Sequence, residues 1–282
     1  MHVIERTNNL KKVIDQVKRE GKTIGFVPTM GFLHEGHLSL IRRAKQENDV
    51  VVASIFVNPT QFGPNEDLEA YPRDIERDKT LLAAQKVDIA FIPEVKEIYP
   101  DGFTTYVEVT GPITQVLCGK SRPTHFRGVT TVVAKFFHLV SPDQAYFGRK
   151  DAQQVAIIQK MVKDLSFDLQ IVPCPIVREP DGLAMSSRNV YLSTQQRKDA
   201  LVLNQALMAA QETIRQGERT AANVAGIIKN HFRSIPEAII DYIAIVDAFT
   251  LADVDILKGE ILIALAIKFG KIRLIDNINM TL

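Results

Sequence analysis

Short apolar runs and helical patterns alternate through residues 1–175. Residues 22–27 (KTIGFV) predict a strand that ends at Pro28. Over residues 34–47, Leu38, Ile41 and Ala44 recur at helical spacing. Residues 49–57 (DVVVASIFV) are almost continuously apolar and β-branched, the pattern of a strand covered on both faces. A helix is expected over 74–85 and a strand over 87–92. Residues 129–140 (VTTVVAKFFHLV) are apolar on most sides and read as a buried helix, with a strand as the competing assignment. A short strand at 144–147, a helix at 151–164 and a strand at 168–172 complete the alternation. Strand–helix alternation of this kind calls for a parallel sheet flanked by helices, an α/β fold.

The pattern changes after Pro173 and Pro175. Ser193 and Gln196 fit a capping box, and Leu203, Leu207, Ala210 and Ile214 then share one helical face that Gly217 can end. A second helix is expected over 220–232, and strands over 239–246, 260–267 and 272–276. Helices followed by strands predict a smaller α+β domain. The expected division is therefore 1–175 and 176–282, closely joined with a cleft between them. No fixed-period repeat or low-complexity linker is seen.

Composition narrows the function. The 282 residues are 46% hydrophobic and 24% charged, ordinary for a soluble globular protein. Lys and Arg number 34 against 33 Asp and Glu, a net charge of +1, so no bulk field would hold a nucleic acid. No apolar run is long enough to span a bilayer, and the first residues lack the apolar core of a secretory signal. A cytoplasmic protein acting on small molecules is the expectation. Cys118 and Cys174 are too few for a disulfide framework or a zinc site of their own.

Four segments carry candidate chemistry. Met30-Gly31-Phe32-Leu33-His34-Glu35-Gly36-His37 follows the first strand and opens the first helix. A helix N-terminus offers free N–H groups and a positive dipole end to phosphate. His34 and His37 share one side of that turn, and Gly36 leaves room beside the backbone. The spacing is not that of a zinc protease. Asn58 and Gln61, in FVNPTQF, bring amides to the end of the next strand, although Asn-Pro is also ordinary turn chemistry. Gly148-Arg149-Lys150-Asp151 ends another strand, with Gln154 one turn on. Lys150 offers a point charge and Asp151 a helix cap or a ribose ligand. Met185-Ser186-Ser187-Arg188 gathers two hydroxyls and a guanidinium beyond an Asp181-Gly182 turn, so it could close as a loop. No Walker A, GxGxxG or GxSxG pattern is present.

HxGH followed far downstream by Met-Ser-Ser-Arg resembles the adenylyl-transferring superfamily of class I aminoacyl-tRNA synthetases and nucleotidyltransferases. The ordered set PTMGFLHEGH, FVNPTQF, HFRGVTTVVAKFFHLV, FGRKDAQQ and REPDGLAMSSRNVYLS is similar, more closely, to the pantoate–β-alanine ligases, or pantothenate synthetases. The resemblance implies a Rossmann-like first domain and a reaction in which pantoate attacks ATP. Pantoyl adenylate and pyrophosphate form, and the amine of β-alanine then displaces AMP. It implies Mg²⁺ on the polyphosphate without a dedicated protein cage, and a homodimer. By residue, it implies that Met30 to His37 line the ATP site, with His34 and His37 on the phosphates and His37 a proton donor. Gln61 would bind pantoate and then β-alanine, and Gln154 the pantoate hydroxyls. Gly148, Arg149, Lys150 and Asp151 would hold ribose and phosphates, Val177 adenine, and Met185, Ser186, Ser187 and Arg188 the pyrophosphate. Asn58 and Tyr71 are lesser candidates.

Two positions depart from the family pattern. Phe137-His138 stands where Leu-Asn is common, and Phe32 is bulky for its place; His138 is read as structural. A nucleotidyltransferase of the same superfamily is the nearest rival, disfavoured by the neutral amides of FVNPTQF. A catalytically dead nucleotide sensor is the other, disfavoured by His34, His37, Lys150 and Arg188.

Overall fold

The computed structural model describes residues 1–64 and 66–282. Strands β1 (His2–Ile4), β2 (Ile24–Thr29), β3 (Val50–Ile55), β4 (Ile89–Phe91), β5 (Gln144–Gly148) and β6 (Gln170–Cys174) form one sheet, ordered β1-β4-β3-β2-β5-β6. Every pairing in it is parallel. The helices that alternate with these strands along the chain are α1 (Thr7–Arg19), α2 (Glu35–Glu47), α3 (Ile75–Ala84), α4 (Val95–Ile98), α5 (Leu117–Ser121), α6 (His125–Val140) and α7 (Ala152–Asp164). Helices α8 (Thr194–Asp199), α9 (Val202–Arg215) and α10 (Ala221–His231) precede β7 (Ala238–Asp247), β8 (Glu260–Phe269) and β9 (Ile272–Thr281). The last three strands make an antiparallel sheet in sequence order.

The chain divides into two compact units. One holds Met1–Thr110, Arg122–Arg149 and Ile157–Pro175; the other holds Gly111–Ser121, Lys150–Ala156 and Ile176–Leu282. In the first, alternate strand residues serve opposite layers. Val27, Val51, Ala53, Ala90 and Tyr146 pack with Leu38, Ile41 and Ala44 of α2 and Leu82 of α3. On the other face Phe136 of α6 meets Phe26, Phe56 and Phe91 edge-on at centroid distances of 6.0, 5.8 and 5.9 Å. All of β3 is buried, which explains its unbroken apolar sequence. In the second unit, α9 and α10 bury Leu203, Leu207, Ile214, Val224 and Ile228 with Ile261, Ile263, Leu265 and Ile267 of β8.

Some elements differ from expectation. Residues 129–140 belong to a helix, and it starts earlier, at His125. β2 continues through Pro28 to Thr29; β5 pairs only with Gly25 and Phe26, so the ladder on that side has ended before the missing N–H. β1 and α1 lie in a segment for which no element is predicted, although Leu10, Ile14 and Val17 are spaced for one buried face. The Ser193–Gln196 capping box is formed, but it opens the short α8 and not one long helix. Ala200 (φ −64°, ψ −20°) and Leu201 (φ −60°, ψ −24°) keep nearly 3₁₀ angles, a tighter turn that redirects the chain into α9. His138 is exposed on α6.

One close approach ties α6 to the turn at Pro59–Gln61. A Cβ on Gly128 would lie 2.3 Å from the Thr60 carbonyl oxygen and 2.6 Å from the Gln61 nitrogen. Gly128→Ala should lower the unfolding free energy by about 1–3 kcal/mol, because main chain must move to admit the methyl group. Urea unfolding followed by circular dichroism measures this, and an unchanged midpoint would contradict the packing described.

Candidate active site

The parallel sheet reverses direction of growth at β2. From β2 the chain builds outward through β3 and β4 on one side, where β1 already forms the edge, and then crosses to β5 and β6 on the other. Loops leaving the carboxyl ends of β2 and β5 therefore diverge around a crevice, the ordinary ligand position of an open α/β sheet. The HxGH loop leaves β2, and Gly148 and Arg149 leave β5. The Asn58–Gln61 turn follows the neighbouring β3.

His34 is the N-cap of α2, with extended backbone angles, and His37 lies three residues into the helix. Both are half-buried. Their rings lie 4.0 Å apart between centroids, tilted by 34°. The His34 N–H donates to His37 Nδ1 at 3.3 Å. A neutral His37 accepting on Nδ1 carries its proton on Nε2, which makes that nitrogen the donor. Ahead of the pair, Gly31 and Phe32 have φ of 82° and 49°, both left-handed.

Gln61 is oriented by a chain of unambiguous partners. Asn58, 1% exposed, donates from Nδ2 to the Gly128 carbonyl at 3.1 Å and to Gln61 Oε1 at 3.1 Å. Its Oδ1 accepts from the Tyr99 hydroxyl at 2.8 Å, the Thr60 hydroxyl at 2.9 Å and the Thr60 N–H at 3.4 Å. A main-chain carbonyl can only accept and a main-chain N–H can only donate, so the Asn58 amide has one orientation. Gln61 must then accept with Oε1, leaving Nε2 directed at Met30 Sδ, 2.9 Å away. Burial pushes the Tyr99 hydroxyl up to about 12, keeping it a donor at neutral pH. The Gln61 main-chain carbonyl lies 2.8 Å from His125 Nδ1 and 3.4 Å from Arg122 Nη2. Arg122 grips Glu66 through two bonds of 2.6 Å. Burial pushes the Glu66 carboxyl up, but the Arg122 bonds outweigh it and hold the group below its ordinary value. Tyr71 is buried, edge-on to Phe62 at 6.0 Å.

Lys150, Asp151, Gln154, Val177 and Met185 to Arg188 belong to the second unit. The Lys150 carbonyl accepts from Asn277 Nδ2 at 2.9 Å, and Lys150 Nζ lies 3.8 Å from Asp151. Of the two adjacent glutamines, Gln153 is committed to structure. It accepts from the Cys118 N–H and donates to the Ile113 and Val116 carbonyls at 2.8–2.9 Å. Gln154 is half-buried and carries none of these anchoring bonds. Val177 and Met185 face each other across a small hairpin, closed by Met185 N–H to Val177 O at 3.0 Å and turning at Gly182 (φ 96°). Arg178 forks onto the buried Asp276 at 2.7 and 3.0 Å. Arg197 of α8 binds Glu179 at 2.8 Å and Asp181 at 2.6 Å. The Asp181-Gly182 turn is present, but motion of this arm would break those ion pairs or carry α8 and β9 along. Ser186 accepts the Arg188 N–H on its hydroxyl at 3.3 Å, starting the turn Ser187–Tyr191.

Sequence reasoning passed over Tyr99, Arg77, Asp78 and Arg197. Asp78 is 1% exposed on α3, and its carboxylate accepts from the Phe32 and Leu33 N–H groups at 2.7 Å each. Burial pushes this carboxyl above its ordinary value, partly offset by those two donors. A single Asp in a helical segment gives no sign of such a partner 45 residues earlier.

Residues 2–279 match the family model described as pantoate-beta-alanine ligase. The chain is 59% identical over 278 residues to a pantothenate synthetase of Acetivibrio thermocellus, covering 99% of each protein. It is 55% identical to that of Thermotoga neapolitana, over 98% of this chain and 99% of the relative. The crystal structure of the Thermus thermophilus pantothenate synthetase superposes with a TM-score of 0.95, at 47% identity and 99% coverage of both chains. A Francisella tularensis pantoate-beta-alanine ligase, solved in complex with beta-gamma ATP and beta-alanine, gives a TM-score of 0.79 at 38% identity, over 99% of this chain and 97% of that one. With the family model matched over residues 2–279 and relatives 55–59% identical along 98–99% of its length, the chain belongs to the pantoate–β-alanine ligase family.

Proposed function

We propose that this ligase condenses pantoate with β-alanine through pantoyl adenylate, and that the residues singled out above divide the work. The observation that carries this reading is the junction of Gln61 Nε2 with Met30 at the head of the HxGH loop. It sets an amide donor for an uncharged or carboxylate acceptor beside the loop that receives phosphate. A nucleotidyltransferase acting on a phosphorylated substrate would call for cations there instead.

The pantoate carboxylate attacks the α-phosphorus of ATP, forming a carboxyl–phosphate bond as pyrophosphate leaves. The amine of β-alanine then attacks the activated carbonyl, losing a proton, and AMP leaves with the carboxyl oxygen. The nucleophile comes from the substrate, so the protein positions groups and meets developing charge. His37, carrying its proton on Nε2, and His34 donate to phosphate oxygens. Gly148 and Arg149 leave the adjoining strand, and Lys150 and Asp151 follow in the chain to take phosphate and ribose. Met185, Ser186, Ser187 and Arg188 hold the pyrophosphate, and Val177 meets the adenine. Gln61 and Gln154 hold pantoate, and Gln61 later serves β-alanine.

Mg²⁺ fits as a companion of the nucleotide. Among the described residues, no group of three or more His, Cys, Asp or Glu side chains is arranged to hold a metal ion. The polyphosphate itself is a suitable ligand set, and the ion would neutralise part of its charge. Family kinship also supports a homodimer and a cytoplasmic location; no helix among the described residues is long and apolar enough to cross a membrane.

Purified protein supplied with ATP and Mg²⁺ should release AMP only when both pantoate and β-alanine are present. AMP without them, or none with them, defeats the reading. His37→Ala and Lys150→Ala should each lower turnover by about 10²–10³, the worth of a donor aimed at developing charge, with circular dichroism unchanged. Near wild-type rates would remove the assigned roles. Asn58→Asp turns an oxygen toward Gln61 and reverses its amide. The KM for pantoate should rise by about tenfold, near 1.4 kcal/mol, with the KM for ATP within about twofold. Equal shifts in both constants would show that Asn58 acts on the fold and not on Gln61.

A further inference from the structure

The HxGH loop holds a conformation that its own sequence resists. Phe32 lies at φ 49°, a left-handed angle that a residue with a Cβ adopts reluctantly. Gly31 precedes it at φ 82°. Two successive left-handed residues turn the N–H groups of Phe32 and Leu33 to the same side, as in the backbone concavities that bind anions. Here the anion is internal. Asp78 Oδ2 takes the Phe32 N–H and Oδ1 the Leu33 N–H, both at 2.7 Å. The approach is possible because position 31 is glycine: a Cβ there would lie 2.9 Å from Asp78 Oδ2 and 2.8 Å from Ile55 Cγ2.

The neighbouring side chain grips the same two residues. Arg77 Nη1 donates to the Leu33 carbonyl at 2.9 Å. Its guanidinium carbon stands 5.3 Å from the centroid of the Phe32 ring, within range of a cation–π contact. The Phe32 ring thus serves as a surface for the Arg77 guanidinium. Arg77 also lies 3.8 Å from Asp78, moderating a buried negative charge. Two adjacent residues of α3 therefore hold both N–H groups, one carbonyl and one ring of the loop. The next residue is His34, the N-cap of α2, so the backbone at 32–33 sets the direction in which the histidine pair enters the helix.

We propose that Arg77 and Asp78 form a positioning clamp that sets the HxGH loop in its ATP-binding geometry. This rests on the reading of that loop as the ATP phosphate site. Neither residue touches the reacting atoms. They act through the placement of Phe32, Leu33 and the two histidines, and a loop misplaced by about an ångström costs a large factor in rate or binding. The clamp also removes two N–H groups and one carboxylate from the site. Polyphosphate then meets the first turn of α2, and a bare negative charge does not repel it.

Asp78→Asn tests the clamp with little change in volume. One oxygen can still accept, but an NH₂ group faces the other loop N–H. Hydrogen exchange of the Phe32 and Leu33 amides in the substrate-free protein should accelerate by about tenfold or more, and the KM for ATP should rise by about tenfold. The constants for pantoate and β-alanine should stay within about twofold, since Gln61 keeps its own anchors. Arg77→Ala, at a side chain 46% exposed, should move the same two readouts in the same direction by a smaller factor. If Asp78→Asn does not fold, Arg77→Ala decides by those measurements. Unchanged exchange at 32–33 overturns the clamp. Faster exchange with an unchanged KM for ATP overturns its role in nucleotide binding. Exchange rising across the whole chain, with all three constants rising together, reduces it to general stability. Faster local exchange together with a His37→Ala protein of normal ATP dependence would instead locate the failure in the reading of the loop as the ATP site.

Discussion

Strands covered on both faces leave no place for chemistry along their length. β3 is buried throughout, with aliphatic α2 and α3 on one side and the aromatic cluster around Phe136 on the other. A polar side chain in mid-strand would have to find a partner in that interior or bear its desolvation. Groups that must meet water-soluble substrates are displaced to the strand ends, and the reversal of strand order at β2 decides which ends have space between them. The loops after β2, β3 and β5 carry the candidate residues of the first unit for this reason.

Loops placed at strand ends need restraint, and here most of it comes from buried polar groups, among them Asp78, Asn58, Gln153 and Asp276. Asp78 and Arg77 hold Phe32 and Leu33. Asn58, fixed by Gly128 and Thr60, sets the Gln61 amide. Gln153 holds the segment around α5, and Asp276 holds the hairpin through Arg178. Apart from the exposed Arg77, the groups named are buried or half-buried and bond to main chain, to an amide or to an opposite charge, where an unmade bond costs more than in solvent. Such restraints suit a reaction in which the protein supplies no nucleophile. Rate then depends on how closely donors and cations match positions that change little between ATP, adenylate and products.

On the proposed reading, HxGH by itself does not set the reaction. The histidine pair at the helix N-terminus would hold phosphate, and the neighbouring strand end would decide what is joined to it. In this chain that end offers Gln61, held donor-first beside Met30 and backed by a neutral amide and a phenol. On the same reading, neutral donors there would match an acid with hydroxyl groups, whereas a phosphorylated partner would need fixed positive charge.

Much of this protein was determined locally and could be read from the sequence. Apolar runs and period-3.6 patterns mark most of the strands and the longer helices other than α1, because burial of one face or both is recorded residue by residue. The His34–His37 spacing, the Ser193 capping box and the ordered motif blocks belong to the same local record, and they carry the family. Edges were less legible: β1 is three residues long, and α1 hides its Leu10, Ile14 and Val17 stripe among charges. Only the tertiary structure decided the rest. Asp78 meets Leu33 across 45 residues, and Asn58 meets Gly128 across 70. No periodicity encodes a partner at that distance, and a buried Asp looks like a surface Asp until the helix carrying it is packed. The orientation of the Gln61 amide and the left-handed turn at Phe32 are likewise consequences of contacts formed only when separate strands and helices close on one another.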